Sequence, residues 1–295
     1  MNINKGCLSL IAAAMLSVVT SSWAAAAPQK VIVGSADFPE NQLLATIYAG
    51  ALEARDIPVQ KKLNIGSREV YIPALLDGSI TLIPEYSGAL LSYLDAKNEV
   101  HSPEAVAAAL ATKLPAKVKM LNVAKAQNSD VLAVTKKTAD KYHLKTIEDL
   151  KPYAGELVLG GPAEWKTRHE GVPGLRDVYG LNFKNFKVLD VAGPLTLTAL
   201  KNNQIQVADL TSTTPDIQKD HLVALEDPKN LFAAQNIVPI VAVATLTPAV
   251  EKVLNDVSSQ LTTEDLIVMN GQLADFVNID DVAKQWLDKH GLSKK

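Results

Sequence analysis

The chain has 295 residues, 29 basic against 32 acidic side chains and a formal net charge of −3, with 47% hydrophobic residues. This near balance leaves no basic stripe and no strong field, which argues against nucleic acid or an anionic membrane as partner. The length allows two lobes of ordinary domain size, and a single cysteine, Cys7, excludes a disulfide framework.

Residues 1–27 read as an export signal. Lys5 supplies the positive start, and the apolar stretch 8–19 is too short to span a bilayer, which takes about 20 residues. Trp23-Ala24-Ala25-Ala26-Ala27-Pro28 has the small residues of a cleavage site. Cys7 lies inside this segment, behind Asn4-Lys5-Gly6 rather than the small apolar residues that precede a lipid-modified cysteine. The expectation is a soluble periplasmic protein, cleaved near residues 25–27 and free of thiols. It loses Lys5 and no acid, taking −3 to −4.

From residue 28 onward, short apolar runs alternate with helical patterns, which predicts an α/β fold. A strand is expected at 31–33. Asp37-Phe38-Pro39-Glu40 follows as a capping box opening a helix whose buried face carries Leu43, Leu44, Ile47, Ala51 and Leu52. Strands at 59–63 and 79–83 flank a helix over 67–77 closed by Gly78. Pro84 is expected to stop the third strand, leaving Tyr86 and Ser87 on the loop at its carboxyl end, where open α/β sheets bind ligands. Ser102-Pro103-Glu104 starts a helix that stops before Pro115. Strands at 118–123 and 131–135 surround a polar link, 125–130, read as the outward crossing between lobes. A short capped helix at 146–151 leads to strands at 157–159, 186–189 and 206–210, with helices at 174–179 and 195–200. A short strand at 222–225 precedes the return crossing at 233–236. A strand at 237–243 and helices at 248–260, 264–276 and 281–289 then rejoin the first lobe.

No catalytic signature stands out: G-x-S-x-G, S-x-x-K, H-E-x-x-H and glycine-rich phosphate loops are all missing, and the five histidines are scattered. No enzyme, cofactor or metal is expected.

Several spaced motifs carry a resemblance. Val33-Gly34-Ser35-Ala36-Asp37-Phe38-Pro39-Glu40-Asn41-Gln42 is followed by Leu63-Asn64-Ile65-Gly66-Ser67-Arg68-Glu69-Val70. Pro73-Ala74-Leu75, Gly78 and Pro84-Glu85-Tyr86-Ser87-Gly88 come next. In this order the chain resembles the substrate-binding proteins of osmoprotectant ABC transporters, those for glycine betaine, choline and relatives, over nearly all of its length beyond the signal. The resemblance implies a two-lobed periplasmic binding protein fold, type II-like, with two crossings and hinge closure around a ligand. The lobes are expected at 28–127 plus 236–295 and at 128–235.

The family's ligand-contacting glutamine falls on Asn41 in an ungapped match and on Gln42 one residue later. Ser67 and Arg68 open a helix and together suit a carboxylate. Tyr86 and Ser87 match the family's cleft-lining Tyr and Thr. Quaternary ammonium groups sit against aromatic faces worth about 0.5–2 kcal/mol each. The better-known betaine binders carry further tyrosines in later motifs, yet here 128–131, 208–212 and 233–236 hold no ring. Trp165 is a candidate second face. Tyr71 is a third, although a place inside a helix suits packing. The cage therefore reads as thin, which points to weak betaine binding or another ligand. A zwitterion would use Arg68 or Arg168 with Asp130; a more polar osmolyte would use Asn128, Thr211 and Ser212.

The function expected is capture of a small osmolyte and delivery to an ABC permease by a monomeric binding protein that does not insert in the membrane. A different polar ligand, and a periplasmic enzyme or sensor on the same fold, stand as alternatives.

Overall fold

The computed structural model describes residues 30–294. The expected signal segment lies outside them. In chain order, β1 (Val31–Gly34), α1 (Pro39–Glu53), β2 (Val59–Lys62), α2 (Arg68–Leu76), β3 (Leu82–Tyr86), α3 (Ser87–Leu94), α4 (Pro103–Lys113) and β4 (Val118–Met120) come first. The middle of the chain holds β5 (Asp130–Val134), α5 (Lys136–Tyr142), β6 (Val158–Gly161), α6 (Val172–Tyr179), β7 (Asn185–Val188), α7 (Pro194–Lys201), β8 (Val207–Thr211), α8 (Asp216–Lys219) and β9 (Val223–Ala224). The chain finishes with β10 (Ile237–Ala242), α9 (Pro248–Gln260), α10 (Thr263–Ala274) and α11 (Ile279–Lys289).

Two five-stranded sheets result, ordered β2-β1-β3-β10-β4 and β7-β6-β8-β5-β9. Each centres a lobe. In the first, strand side chains alternate between two cores, as the period of two requires. Leu82, Ile237 and Val241 face α1 and the carboxyl-terminal helices, whereas Ile83, Val238 and Ile240 face α2, α3 and α4. Val253, Leu254, Leu266 and Trp286 join the α1 core, so the last three helices do return to the first lobe.

Strand β3 corrects the expectation at Pro84, because the ladder runs through this proline. Pro84 lies opposite Pro239 in the antiparallel pair of β3 with β10. Two prolines can face each other only as a non-hydrogen-bonded pair, where neither lacks a needed N–H. The outward Pro239 carbonyl accepts from Leu121 N at 3.1 Å. The outward Pro84 carbonyl lies where β1 has already ended, and Asn41 Nδ2 donates to it at 2.9 Å. Tyr86 therefore ends a strand, and Ser87 begins α3.

In the second lobe, β6 runs parallel to β7 and β8, while β5 runs antiparallel to β8 and β9. The chain passes between lobes twice, after β4 and after β9, and the two passages lie side by side. Gln127 and Asn236 form an antiparallel bridge. Asn128 N donates to Gln235 O at 3.0 Å, and Ile237 N to Ala126 O at 3.0 Å.

Candidate ligand-binding cleft

A cavity of about 80 Å³ opens between the lobes. The loop after β1 contributes Phe38, the start of α2 contributes Ser67, Arg68 and Tyr71, and the end of β3 contributes Tyr86. The passages add Asn128 and Gln235, and the first residue of β5 adds Asp130. From the second lobe, the segment after β6 brings Trp165, Arg168 and Glu170, and β8 brings Asp209 and Thr211. Carboxyl ends of parallel strands thus supply much of the wall, as expected where ligands enter open α/β folds.

The aromatic wall is fuller than the sequence suggests. Phe38 and Tyr86 stand with ring centroids 5.8 Å apart, tilted by 34°. Tyr71 and Trp165 also line the cavity. Trp165 packs against Phe232 at 6.0 Å as well, so one indole serves both the second core and the cleft. Phe38 was legible in principle: it follows β1 as Tyr86 ends β3. To the three rings expected, Tyr86, Trp165 and Tyr71, the structure adds Phe38 on the cavity wall.

Both arginines of the cleft already have carboxylates. Arg68, buried at 6% exposure, donates from Nε to Glu85 Oε1 at 2.7 Å and from Nη2 to Oε2 at 2.9 Å. Tyr71 hydroxyl and Tyr86 N donate to the same carboxylate, each at 2.8 Å. Burial pulls the Arg68 guanidinium down, but Glu85 outweighs it and keeps the proton on. Arg168 donates to Glu69 from Nε at 3.1 Å and from Nη2 at 2.9 Å, a fork that joins the two lobes across the cleft. Ser67 Oγ donates to Glu69 at 2.6 Å rather than standing free. Burial alone would raise the Glu69 carboxyl; the bonds from Arg168 and Ser67 win and hold it at about 2.

Glu40 departs from its expected role. The residue preceding α1 is Phe38, with no side-chain cap, so there is no capping box here. The Glu40 carboxylate instead turns inward, 5% exposed. Its Oε1 accepts from Tyr86 hydroxyl at 2.8 Å and Asn128 Nδ2 at 2.7 Å. Its Oε2 accepts from Thr213 Oγ1 and Asn270 Nδ2, both at 2.6 Å. One buried carboxylate so ties the ring at the end of β3 to the first passage, to the second lobe and to α10.

Four of the predicted site residues lie elsewhere, Ser212 among them, whose Oγ accepts from Ser129 N at 3.0 Å. Asn41 is fully buried and spends its amide on backbone: Oδ1 accepts from Ala36 N at 2.7 Å and Nδ2 donates to Pro84 O. It substitutes for the strand that β1 no longer provides. Gln42, one helical step on, does not line the cavity. Ser87 Oγ accepts from Asn236 N at 3.0 Å and lies against Ala234 O at 3.3 Å, pinning the return passage. Ser67, Arg68, Tyr86, Asn128, Asp130, Trp165 and Thr211 do come together.

The second-lobe wall is acidic. Asp209 stands in β8 beside Gly161 of β6, where a Cβ would meet Asp209 Cβ at 3.0 Å. That close approach is the reason glycine suits position 161. Asp130 accepts from Gln235 Nε2 at 2.8 Å. Burial, then the charge of Glu170, pushes the Asp130 carboxyl up to about 6. Burial, with Asp130 and Glu170 adding to it, raises Asp209 well above the usual carboxylate range. Thr211 Oγ1 lies 3.0 Å from Thr214 Oγ1. Asp209, Glu170 and Gln235 escaped the sequence reading because a strand, the segment after β6 and the return passage, distant in sequence, meet at this wall only in the folded chain. Among the described residues, no cluster of His, Cys, Asp and Glu is arranged to hold a metal ion, and no helix is long and apolar enough to cross a membrane.

Comparison with known proteins agrees with this geometry. Residues 29–289 match the family described as the substrate binding domain of ABC-type glycine betaine transport systems. The chain is 26% identical to the glycine betaine-binding protein YehZ of Escherichia coli K12, over 95% of this chain and 96% of that one. It is 26% identical to the carnitine transport binding protein OpuCC of Listeria monocytogenes, over 81% of this chain and 79% of the relative. A solved structure of a glycine betaine/carnitine/choline ABC transporter protein superposes with a TM-score of 0.71 at 23% identity, covering 89% of this chain and 99% of its own. The two-lobed architecture is that of the periplasmic binding proteins. The chain belongs to the family of substrate-binding domains of ABC-type glycine betaine transport systems.

Proposed function

We propose that this protein is exported to the periplasm, captures a small quaternary ammonium osmolyte between its lobes and presents it to an ABC permease as a monomer. The lobes are taken as 28–127 with 236–295, and 128–235, and closure is a rotation about the paired passages. The observation that carries this reading is the set of four rings, Phe38, Tyr71, Tyr86 and Trp165, drawn from both lobes around one cavity. Each face contributes about 0.5–2 kcal/mol to a bound trimethylammonium group. A micromolar site needs about 8 kcal/mol in total, so three or four faces supply a large share.

Calorimetric titration of the mature protein with glycine betaine, choline, carnitine, proline betaine and ectoine tests it. Saturable heat and a thermal shift with at least one quaternary ammonium compound are expected. Silence from all of them refutes the osmolyte reading.

A further inference from the structure

This inference rests on the quaternary ammonium reading above and narrows it. We propose that the cleft selects a cation over a zwitterion, with Asp130 and Asp209 as specificity-determining residues. The preferred ligand is a quaternary ammonium compound that carries a hydroxyl or N–H donor and no carboxylate.

Two independent observations lead there. The first is the charge balance. A zwitterion's carboxylate needs an unspent positive charge, and both arginines facing the cavity are held in two-bond forks, Arg68 by Glu85 and Arg168 by Glu69. Arg68 retains N–H groups for a ligand but no net charge to offer. The acids of the cavity left without a salt-bridge partner are Asp130, Asp209 and Glu170, with the more exposed Asp37 and Glu164 beside them. The second is the hydrogen-bond inventory. Asp209 and Asn128 both line the cavity, at 3% and 5% exposed, and the Oδ1 atom of each is buried without a partner. Both are acceptors. Asn128 is fixed in this sense because its Nδ2 is committed to Glu40. Buried acceptors that the protein leaves unpaired call for a donor from the ligand, and the carboxylate of a betaine has none.

The cleft compensates this acidity with protons. Asp130 faces Gln235 from the return passage, Arg168 and Glu170 from the segment after β6, Asp209 from β8 and Arg68 from α2. Burial, then the charge of Glu170, holds its proton on up to about pH 6 against the opposing pull of Gln235, Arg168 and Arg68. A cation entering the cleft displaces that proton, so its affinity rises with pH through this range.

The test is calorimetry on the mature protein with choline, glycine betaine and tetramethylammonium. At pH 7, choline is expected to bind about tenfold or more tighter than glycine betaine, and tighter than tetramethylammonium, which brings the charge without the donor. Choline affinity is expected to weaken about tenfold between pH 7 and pH 5, the change for one group titrating near 6. Asp209→Asn is expected to cost choline about tenfold and glycine betaine less than about threefold. Glycine betaine binding as tightly as choline at pH 7, or a choline affinity flat from pH 7 to pH 5, overturns the inference while leaving the quaternary ammonium reading intact. The pH profile uses the unaltered chain, so it stands even if the variant does not fold. Silence from all three compounds overturns the underlying reading and this inference with it.

Discussion

Tyr86 is the residue at which binding and folding can be separated by two substitutions. Its ring is 5% exposed and packs with Leu82, Ile237 and Phe38, while its hydroxyl donates to Glu40. Tyr86→Ala removes the ring altogether. Emptying a buried aromatic site costs about 3–5 kcal/mol, and in a chain of this size each kcal/mol lowers the melting temperature by about 2–4 °C. A fall of about 10 °C is expected. The same change removes one face from the cleft, worth about 0.5–2 kcal/mol, so affinity for a quaternary ammonium ligand falls about tenfold. Tyr86→Phe keeps the face and loses only the bond to Glu40, which still accepts from Asn128 through the same oxygen. It should cost about 1.5–3 kcal/mol of stability and change affinity less than about threefold. Urea or thermal melts give the first quantity and calorimetric titration the second. If Tyr86→Phe loses as much affinity as Tyr86→Ala, the hydroxyl and not the face serves the ligand, and the aromatic account of the cleft is wrong.

The other expectations concern the groups around that ring. Glu40→Gln replaces an acceptor of four hydrogen bonds with an amide that sets a donor against donors; it should destabilise by about 2–4 kcal/mol and enlarge the radius of gyration in small-angle scattering, because Thr213 loses its tie to the first lobe. Asn41→Ala strips partners from Ala36 N and Pro84 O and should cost about 2–4 kcal/mol, with ligand affinity per folded molecule nearly unchanged in titrations well below the melting point. The Glu69–Arg168 fork contributes only while Glu69 is ionised. Its folded carboxyl lies at about 2 against an ordinary 4.5, so the contribution is complete above 4.5 and disappears as pH falls toward 2. Glu69 is 45% exposed, which limits the effect to about 1 kcal/mol. Thermal melts of wild type and Glu69→Gln should therefore differ at pH 6 and converge near pH 2.

The alternation of strands and helices, both passages and the return of the last helices were legible because they rest on local periodicity and turn chemistry. Residues 248–260, predicted as a helix, are α9 (Pro248–Gln260). What failed was tertiary. Pro84 reads as a strand breaker until Pro239 is placed opposite it, and nothing local announces a partner 155 positions away. Glu40 reads as a cap because Asp37 stands three residues before it, yet the cleft offers it four donors and the helix end offers fewer. Asn41 and Ser87 read as ligand groups on family position; both are polar side chains whose backbone partners come from segments distant in sequence. Conversely Phe38 reads as part of a cap, and Asp209 stands beside Thr211 and Ser212 with nothing local to show which of these side chains faces the cavity.

The two passages between the lobes have a practical corollary. Gln127 and Asn236 sit on one antiparallel rung, so everything between them enters and leaves at a single point. The segment has its own sheet and its own cores, and it carries Trp165, Asp130 and Asp209. Such a segment is a cassette: two cuts on one rung exchange it between relatives without breaking a strand of the first sheet. The aromatic pair Phe38–Tyr86 would stay with the host, and the acidic wall would travel with the graft.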